Sequence, residues 1–425
     1  MKLVVTIFEE TADAAIDAIR TVRAEHDLIE VRAERFPSID LNALRNATEK
    51  PIILTYRGAR VPDAQRALAA GIDYVDVEWS EGVEISHPER TILSHHDYEG
   101  MHDVEQIFAK MLARNCAHTK LAATPHNFKD NERLLSLLQP TTNTKQPTTT
   151  LIGMGERGIY SRILAPFRGS GLIFVAATNI AAPGQLTLDR ALDIYGRDPR
   201  RADKVFAVAG NPASHSLSPS IHNRLFREKG VPAAYTIASV ERFAEIAEAF
   251  LRGEPCGLSV TSPFKDEAYA LAIAQQAELG ENARRAKAVN TLVNIDGRIL
   301  ADNTDVDGFA AILPSVEQAA ILGAGGTARA ARVALEWMGV PVITMNRSAE
   351  KADAPLEALQ IYDGDCIVNT LPAGVDIPIP PCRVYVEAAY GMQPRQVDAQ
   401  IRIGGLELLR AQAVRQHELF MKVFA

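Results

Sequence analysis

Residues 318–339 read QAAILGAGGTARAARVALEWMG. A short apolar run, Ala319 to Leu322, leads into Gly323, Gly325 and Gly326 and then into an alanine-rich stretch with helical spacing. Strand, glycine turn and helix in that order open a dinucleotide-binding fold, because glycines let backbone amides approach a pyrophosphate and the helix N-terminus attracts its charge. The contacts expected there are Gly323, Ala324, Gly325, Gly326, Thr327 and Ala328. Such a string also arises by chance or serves helix packing, so its setting matters. The next apolar run, Val342 to Met345, supplies a second strand and ends at Asn346, Arg347 and Ser348. A site for an unphosphorylated ribose tends to carry an acidic residue at that place, whereas a basic one suits a 2'-phosphate. NADP is therefore expected over NAD, with Lys351 as a second cation; a solvated arginine on a turn is the competing reading.

Working outward, 425 residues exceed one compact core and give two or three domains. A break at Pro314 to Glu317 precedes the glycine turn, and GRDPRRADK (196–204), charged and proline-containing, precedes the apolar run Val205 to Ala209. These breaks divide the chain at 1–198, 204–313 and 314–425. The first part carries eight apolar runs: Leu3–Ile7, Leu28–Val31, Ile52–Thr55, Tyr74–Val77, Ile92–Ser94, Lys120–Ala123, Leu151–Met154 and Leu172–Ala176. Helical patterns at Ala12–Ala24, Asp63–Ala70, His102–Ala113 and Asn131–Leu138 separate most of them. That alternation predicts a parallel (β/α)8 barrel with functional groups at the C-terminal strand ends. SEGVEISHPE (80–89) is too short and too broken by Gly and Pro for a full crossover helix, and QPTTNTKQPTTT (139–150) is read as a loop inside the barrel.

Composition excludes several functions. The net charge of −8, without a Lys/Arg stripe, argues against nucleic acid. The opening MKLVVTIFEE is too short to span a membrane and reads as a first strand. The four cysteines, Cys116, Cys256, Cys366 and Cys382, lack metal or redox spacing and suit a reducing cytoplasm, with no metal expected.

HTKLAAT (118–124) sets Lys120 in an apolar strand, where burial favours a free amine able to form a Schiff base with a ketone. An isolated strand-end lysine more often reaches solvent, so context decides. SHHDY (94–98) supplies His96 as a general acid and base, and Arg57 and Arg162 offer planar forks for a carboxylate. With IEVR (29–32), LTYR (54–57), TKLA (119–122), MGERGIYSR (154–162) and APGQ (182–185), residues 1 to about 190 resemble type I 3-dehydroquinate dehydratase. The resemblance implies that Lys120 forms an imine with the ring ketone and that His96 removes the adjacent proton and helps expel water. It also implies that Arg162 and Gln185 hold the substrate while Glu30, Arg32 and Arg57 position its hydroxyls and carboxylate. Two positions depart from the family pattern: Val61 replaces a frequent glutamate and Ala181 a serine. A slower dehydratase follows unless another carboxylate, such as Glu78, orients the histidine.

The middle of the chain holds GNPASHSLSPSIHN (210–223), SVTSPFK (259–265), AVNTLVN (288–294) and DNTDVDG (302–308). A ketone that accepts hydride becomes an alkoxide, and a lysine beside a carboxylate can deliver the proton; Lys265 and Asp305 are that pair, or else a plain ion pair. From about Lys204 to the C-terminus these motifs resemble shikimate dehydrogenase. The resemblance implies that Ser216 and Ser218 bind the substrate carboxylate, that Thr261, Asn290 and Asp305 bind ring hydroxyls, and that Tyr390 and Gln412 add contacts. Asn369, Thr370 and Leu371, in NTLPAG, would lie near the nicotinamide. Ser259 stands where bacterial members commonly have asparagine, a feature of plant-like fused enzymes. The two resemblances together imply a fused enzyme dehydrating 3-dehydroquinate and then reducing 3-dehydroshikimate to shikimate with NADPH, acting on small molecules without nucleic acid or membrane. The alternatives are a dehydrogenase beside a weak barrel, a quinate or shikimate dehydrogenase using NAD, and a non-catalytic metabolite sensor.

Overall fold

The computed structural model describes residues 1–36, 39–56, 61–138, 148–197, 199–372, 374–390 and 395–425. Two compact units are formed, one by Met1–Asp203 with Phe226–Val240 and one by Lys204–Leu225 with Glu241–Ala425.

In the first unit the strands are β1 (Lys2–Ile7), β2 (Leu28–Arg32), β3 (Ile52–Tyr56), β4 (Tyr74–Glu78), β5 (Thr91–Asp97), β6 (His118–Ala123), β7 (Thr148–Gly153) and β8 (Leu172–Ala176). Neighbours pair in parallel from β1 to β7, and β8 lies beside β1. Gly171 N–H donates to the Thr149 carbonyl at 2.6 Å and Leu172 N–H to Thr150 Oγ1 at 2.9 Å, which nearly closes the (β/α) barrel. The helices are α1 (Ala12–Thr21), α2 (Leu41–Asn46), α3 (Val61–Ala69), α4 (Val104–Leu112), α5 (Phe128–Ser136), α6 (Ile159–Phe167) and α7 (Leu188–Tyr195). Thr11, Asp40, Asn127 and Thr187 cap α1, α2, α5 and α7, each contributing about 1 kcal/mol. The crossover after β4 contains a single 3-10 turn, Pro88–Arg90, in place of a helix, as its glycine and proline dictate. Thr148–Thr150 open β7, while the rest of the threonine-rich segment lies outside the described residues.

Two-residue periodicity sorts the barrel interior into layers. Val4, Leu28, Ile53, Ile92 and Leu172, packed with Tyr74 and Phe174, form an apolar floor. The residues two further along each strand include Thr6, Glu30, Thr55, Asp76, Ser94 and Lys120, and these are polar and buried. The intervening Val5, Ile29, Leu54, Val75, Leu93 and Thr119 belong to the opposite, helix-covered face and are buried as well. The barrel thus stacks a hydrophobic base beneath a polar layer, and the polar layer is where chemistry can occur.

His118 bridges the two layers. Its Nδ1 lies 2.6 Å from Thr148 Oγ1 and its Nε2 2.7 Å from Thr150 Oγ1. Burial, with the nearby Lys120 ammonium, pushes its imidazole down to about 3, although Asp76 opposes this. The unfolded chain therefore takes up a proton below about pH 6.5 that the folded barrel refuses, and stability is lost as pH falls through that window by up to about 1.4 kcal/mol per pH unit. Urea midpoints measured from pH 7 to pH 5 are expected to decline, and His118→Gln is expected to flatten part of that decline.

The second unit begins with β9 (Lys204–Gly210) and the first part of α8 (Ser218–Lys229); the end of α8, from Phe226, and β10 (Ala233–Ser239) fall in the first unit. Then come α9 (Phe243–Leu251), β11 (Gly257–Val260), α10 (Lys265–Ala274), β12 (Glu278–Leu279), α11 (Glu281–Ala286), β13 (Thr291–Ile295), β14 (Arg298–Asp302) and α12 (Asp305–Ile312). Here β9-β11-β13-β14-β12 form a mixed sheet. The chain continues through β15 (Ala319–Leu322), α13 (Gly326–Trp337), β16 (Val342–Asn346), β17 (Ala354–Pro355), β18 (Cys366–Asn369), β19 (Cys382–Glu387), β20 (Ala399–Ile403) and α14 (Gly405–Met421). These strands are all parallel in the order β17-β16-β15-β18-β19-β20. That winding reverses between β15 and β18, so a ligand crevice opens at Leu322 and Asn369, the C-terminal strand ends. Among the described residues no helix is long and apolar enough to cross a membrane.

Candidate active sites

The barrel's polar layer is organised around two carboxylates on β4. Lys120 is 2% exposed, and its Nζ donates to Asp76 Oδ2 at 2.5 Å while lying 4.3 Å from the Phe174 ring centroid. Two residues further along β4, Glu78 Oε1 accepts from the His96 backbone N–H and Oε2 lies 2.8 Å from His96 Nδ1. A carboxylate accepts, so Nδ1 carries a proton, and in the neutral imidazole Nε2 then keeps its lone pair. Ser94 pairs with Lys120 in the sheet, which sets His96 one layer above the amine on the neighbouring strand.

One cavity is lined by Lys120, His96, Arg32, Arg162, Gln185 and Ala181, with Tyr98 and Met154 at its walls. Arg162 is carried on α6, whose other residues are buried, and its Nε donates to the Gly153 carbonyl at 2.9 Å. β7 and α6 approach so closely that a Cβ at Gly153 would fall 2.2 Å from the Gly158 carbonyl oxygen. Burial lowers the Arg162 guanidinium to about 10, so it stays charged at neutral pH, and it has no acidic partner among the described residues. A half-buried cation without an anion marks the place for one. Arg32 is paired with Glu34 at 2.5 Å. Glu30 is buried and is not among the residues lining the cavity, accepting from Thr6 Oγ1 and Thr55 Oγ1 at 2.7 Å each. Gln185 Nε2 reaches the same Thr6 hydroxyl at 3.3 Å, and its Oε1 accepts from Ala181 N–H. Arg57 lies outside the described residues.

In the second unit, Ser216, Ser218, Thr261, Lys265, Asn290, Asp305, Tyr390 and Gln412 line one pocket. Lys265 Nζ donates to Asp305 Oδ2 at 2.5 Å, and Asn290 Nδ2 donates to Asp305 Oδ1 at 2.9 Å. Thr304 Oγ1 donates to Gln412 Oε1 at 2.8 Å, so α14 folds back onto the start of α12. Local structure concentrates positive potential here: α8 starts at Ser218, α10 at Lys265, α12 at Asp305 and α13 at Gly326. Four helix N-termini around one pocket suit an anionic group and a developing alkoxide.

The glycine turn meets this pocket from the other side. Gly323 has φ +108°, and a Cβ there would lie 2.6 Å from Thr370 Oγ1, so the turn requires glycine. Thr370 Oγ1 donates to the Leu322 carbonyl, and Asn369 Oδ1 accepts from Leu371 N–H, which brings β15 and β18 ends together. Ala324 and Gly325 continue the turn, and Ala328 is buried within α13. Asn346 ends β16; Arg347 and Ser348 follow it exposed, with Lys351 in a short 3-10 turn. The cradle, the helix N-terminus and the exposed cation fit a dinucleotide.

Sequence reasoning did not single out Asp76, Gln416 or Thr304. Gln416 joins the second pocket: its Oε1 accepts from Ser259 Oγ at 2.6 Å, and its Nε2 donates to Thr291 Oγ1 at 2.8 Å. Its position one helical turn after Gln412 was the available signal. For Asp76, the signal was the two-residue spacing to Glu78.

Residues 3–198 match the type I 3-dehydroquinase family model, and residues 208–292 match that of the shikimate dehydrogenase substrate-binding domain. A bifunctional 3-dehydroquinate dehydratase/shikimate dehydrogenase, chloroplastic, from Arabidopsis thaliana is 27% identical over 384 residues, 78% of this chain and 62% of that protein. A pentafunctional AROM polypeptide from Komagataella phaffii is 30% identical over 369 residues, 76% of this chain and 23% of that protein. The chain thus spans less than two thirds of these curated relatives' length. The solved structure of dehydroquinate dehydratase and shikimate dehydrogenase from S. pombe AroM is 24% identical, covering 99% of this chain and 96% of that one, with a TM-score of 0.40.

Proposed function

We propose, on the premise that residues 3–198 belong to the type I 3-dehydroquinase family and residues 208–292 to the shikimate dehydrogenase substrate-binding family, that the chain carries out both reactions in succession. The observation that carries the reading is the coexistence, in one chain, of the buried Lys120 opening onto the Arg162 cavity and the Lys265–Asp305 pair beside a nucleotide turn. We assign 1–198 to the dehydratase barrel, 204–313 to the substrate lobe and 314–425 to the nucleotide lobe, with α14 returning to the substrate lobe. The four cysteines are free, which suits a reducing compartment such as the cytoplasm.

In the barrel, Asp76 is placed to take the proton that Lys120 releases before its amine adds to the ring ketone of 3-dehydroquinate. Loss of the ketone oxygen as water leaves an iminium, which acidifies the adjacent carbon. His96 Nε2 removes that proton, and the same imidazole returns it to the departing hydroxyl, so a second water leaves and hydrolysis of the imine frees Lys120. Arg162 and Gln185 hold the substrate, while Glu30, Arg32 and Arg57 position its hydroxyls and carboxylate. Glu78 replaces the orienting carboxylate missing at Val61. Glu78→Gln is expected to lower kcat for dehydration about 10- to 100-fold with KM little changed, through loss of one charge-assisted hydrogen bond. A stopped assay at several pH values checks it: the acid limb moves if Glu78 sets the His96 tautomer and charge.

In the second site, Ser216 and Ser218 at the start of α8 receive the substrate carboxylate, and Thr261, Asn290, Asp305, Tyr390 and Gln412 read its hydroxyls. A nicotinamide dinucleotide held by Gly323 to Ala328, Asn346 to Ser348, Lys351 and Asn369 to Leu371 supplies hydride when bound. Lys265 delivers the proton to the oxygen that becomes the alcohol. Arg347 favours NADP, and Arg347→Glu is expected to raise KM for NADPH about 10- to 100-fold, the range of one lost hydrogen bond to a charged group, with NADH use unchanged or improved.

The direct test mixes protein with 3-dehydroquinate and NADPH and follows nicotinamide absorbance, with 3-dehydroshikimate in parallel. Oxidation with both substrates is the expected result. Oxidation with 3-dehydroshikimate alone removes the dehydratase reading; oxidation with neither removes the reductase reading, and the enone absorbance of any 3-dehydroshikimate formed then decides the dehydratase.

A further inference from the structure

The glycine turn does more than approach a nucleotide: it packs directly on the proton donor. A Cβ at Gly326 would fall 3.0 Å from both Cβ and Cδ of Lys265, so α13 starts in close contact with the lysine stem. The next residue, Thr327, accepts a hydrogen bond from Lys265 Nζ at 2.8 Å and lines the same pocket as Asp305.

We infer that Thr327 is a positioning residue for Lys265, holding its ammonium jointly with Asp305 so that the remaining N–H faces the substrate oxygen. This role rests on the reductase reading above and adds a residue to it. An ammonium has three donors and no acceptor. Asp305 Oδ2 takes one at 2.5 Å and Thr327 Oγ1 a second, and two fixed directions on a tetrahedral nitrogen determine the third. With Asp305 alone, the ammonium would turn about a single contact. The field makes that turning consequential, because α10 and α13 both begin at this point and their N-termini repel a cation. An acceptor located on α13 itself offsets that repulsion and keeps the charged group at the pocket wall. During reduction, hydride arrives at the carbonyl carbon, the oxygen takes a proton from Nζ, and the neutral amine regains one from solvent. Thr327 therefore acts through Lys265 and links the turn that cradles the nucleotide to the group that completes the reaction.

Thr327→Val keeps the shape and deletes the hydroxyl; Thr327→Ser restores it. Four readouts separate the outcomes: NADPH affinity by fluorescence titration, kcat and KM for 3-dehydroshikimate, the solvent deuterium isotope effect on kcat, and the rate at which acetic anhydride acylates Lys265 in the nucleotide-free protein, read by peptide mass spectrometry. For Thr327→Val, which keeps the backbone amide through which the turn meets the nucleotide, NADPH affinity and KM are expected to stay within about twofold. Its kcat is expected to fall about tenfold, the lower range for one hydrogen bond to a charged group. The isotope effect should grow, Lys265 should acylate faster, and serine should reverse each change. An unchanged kcat and isotope effect overturn the inference, as does a loss confined to NADPH affinity, which makes Thr327 a nucleotide contact only. If the wild-type protein reduces no substrate, the reductase reading fails by itself, and the acylation rate still decides the clamp: an unchanged rate in Thr327→Val rejects it.

Discussion

Lys120→Ala is expected to lower the conversion of 3-dehydroquinate by at least about 10⁴-fold, the scale on which losing the nucleophile of a concerted catalytic group is felt, while reduction of 3-dehydroshikimate continues. The size follows from the position of the amine. No other lysine lines the barrel cavity, so neither imine formation nor the acidification it brings has a substitute among the described residues. The wild-type protein incubated with 3-dehydroquinate and borohydride should gain a reduced adduct on the peptide containing Lys120, and the variant should gain none. Removing one member of a buried ion pair leaves the other uncompensated at a cost of about 3–5 kcal/mol, and Asp76 is fully buried. Lys120→Ala combined with Asp76→Asn separates chemistry from folding, because it removes both charges. A double variant that folds, as judged by its urea transition, and still dehydrates at more than a hundredth of the wild-type rate would reject the imine mechanism.

Much of this architecture is legible in the sequence, and the parts that are not have physical reasons. The eight barrel strands announce themselves as apolar runs, and α1, α3, α4 and α5 as helices with one polar face. α6 does not, because all of its residues except Arg162 are buried and no amphipathic period remains to be read. Lys120, His96 and Arg162 stand out by residue type, and the fold brings them to one cavity. Asp76 is harder to see. In DYVDVEW the acidic residues alternate with valines, a pattern that usually means a strand with one solvated face. In a barrel the helices cover the outside, so Val75 and Val77 turn outward and Asp76 and Glu78 inward. Glu78 could be named from the sequence as a candidate for orienting the histidine, but its reach to His96 followed only once the barrel topology had decided which face is which. The second unit shows the complementary case. Lys265 and Asp305 are 40 residues apart yet identifiable by motif, and Thr327 is legible as part of the nucleotide turn, whereas Gln416 and the contact of Thr327 with Lys265 acquire meaning only when α14 and α13 close on them.

Lys265→Met is expected to lower kcat for reduction about 10²- to 10⁴-fold, the usual contribution of a positioned general acid, with 3-dehydroquinate still consumed. The product of the barrel then has no exit, so the variant supplied with 3-dehydroquinate and NADPH should accumulate 3-dehydroshikimate, visible by its enone absorbance, without nicotinamide oxidation. The fold should tolerate this change better than the loss of Lys120. Asp305 begins α12, where the helix N-terminus favours a carboxylate, and it retains the hydrogen bond from Asn290 at 2.9 Å. The stranded charge thus keeps two of its three supports, and the lost activity reports proton delivery rather than collapse of the pocket. Asp305→Asn tests the other half of the pair: it preserves shape but removes the charge that holds Lys265, so its kcat should fall together with a rise in KM, since Asp305 also reads a substrate hydroxyl. A Lys265→Met protein that oxidises NADPH at the wild-type rate would mean that the proton comes from elsewhere, and the Lys265–Asp305 pair would then be an ion pair that holds α10 against α12.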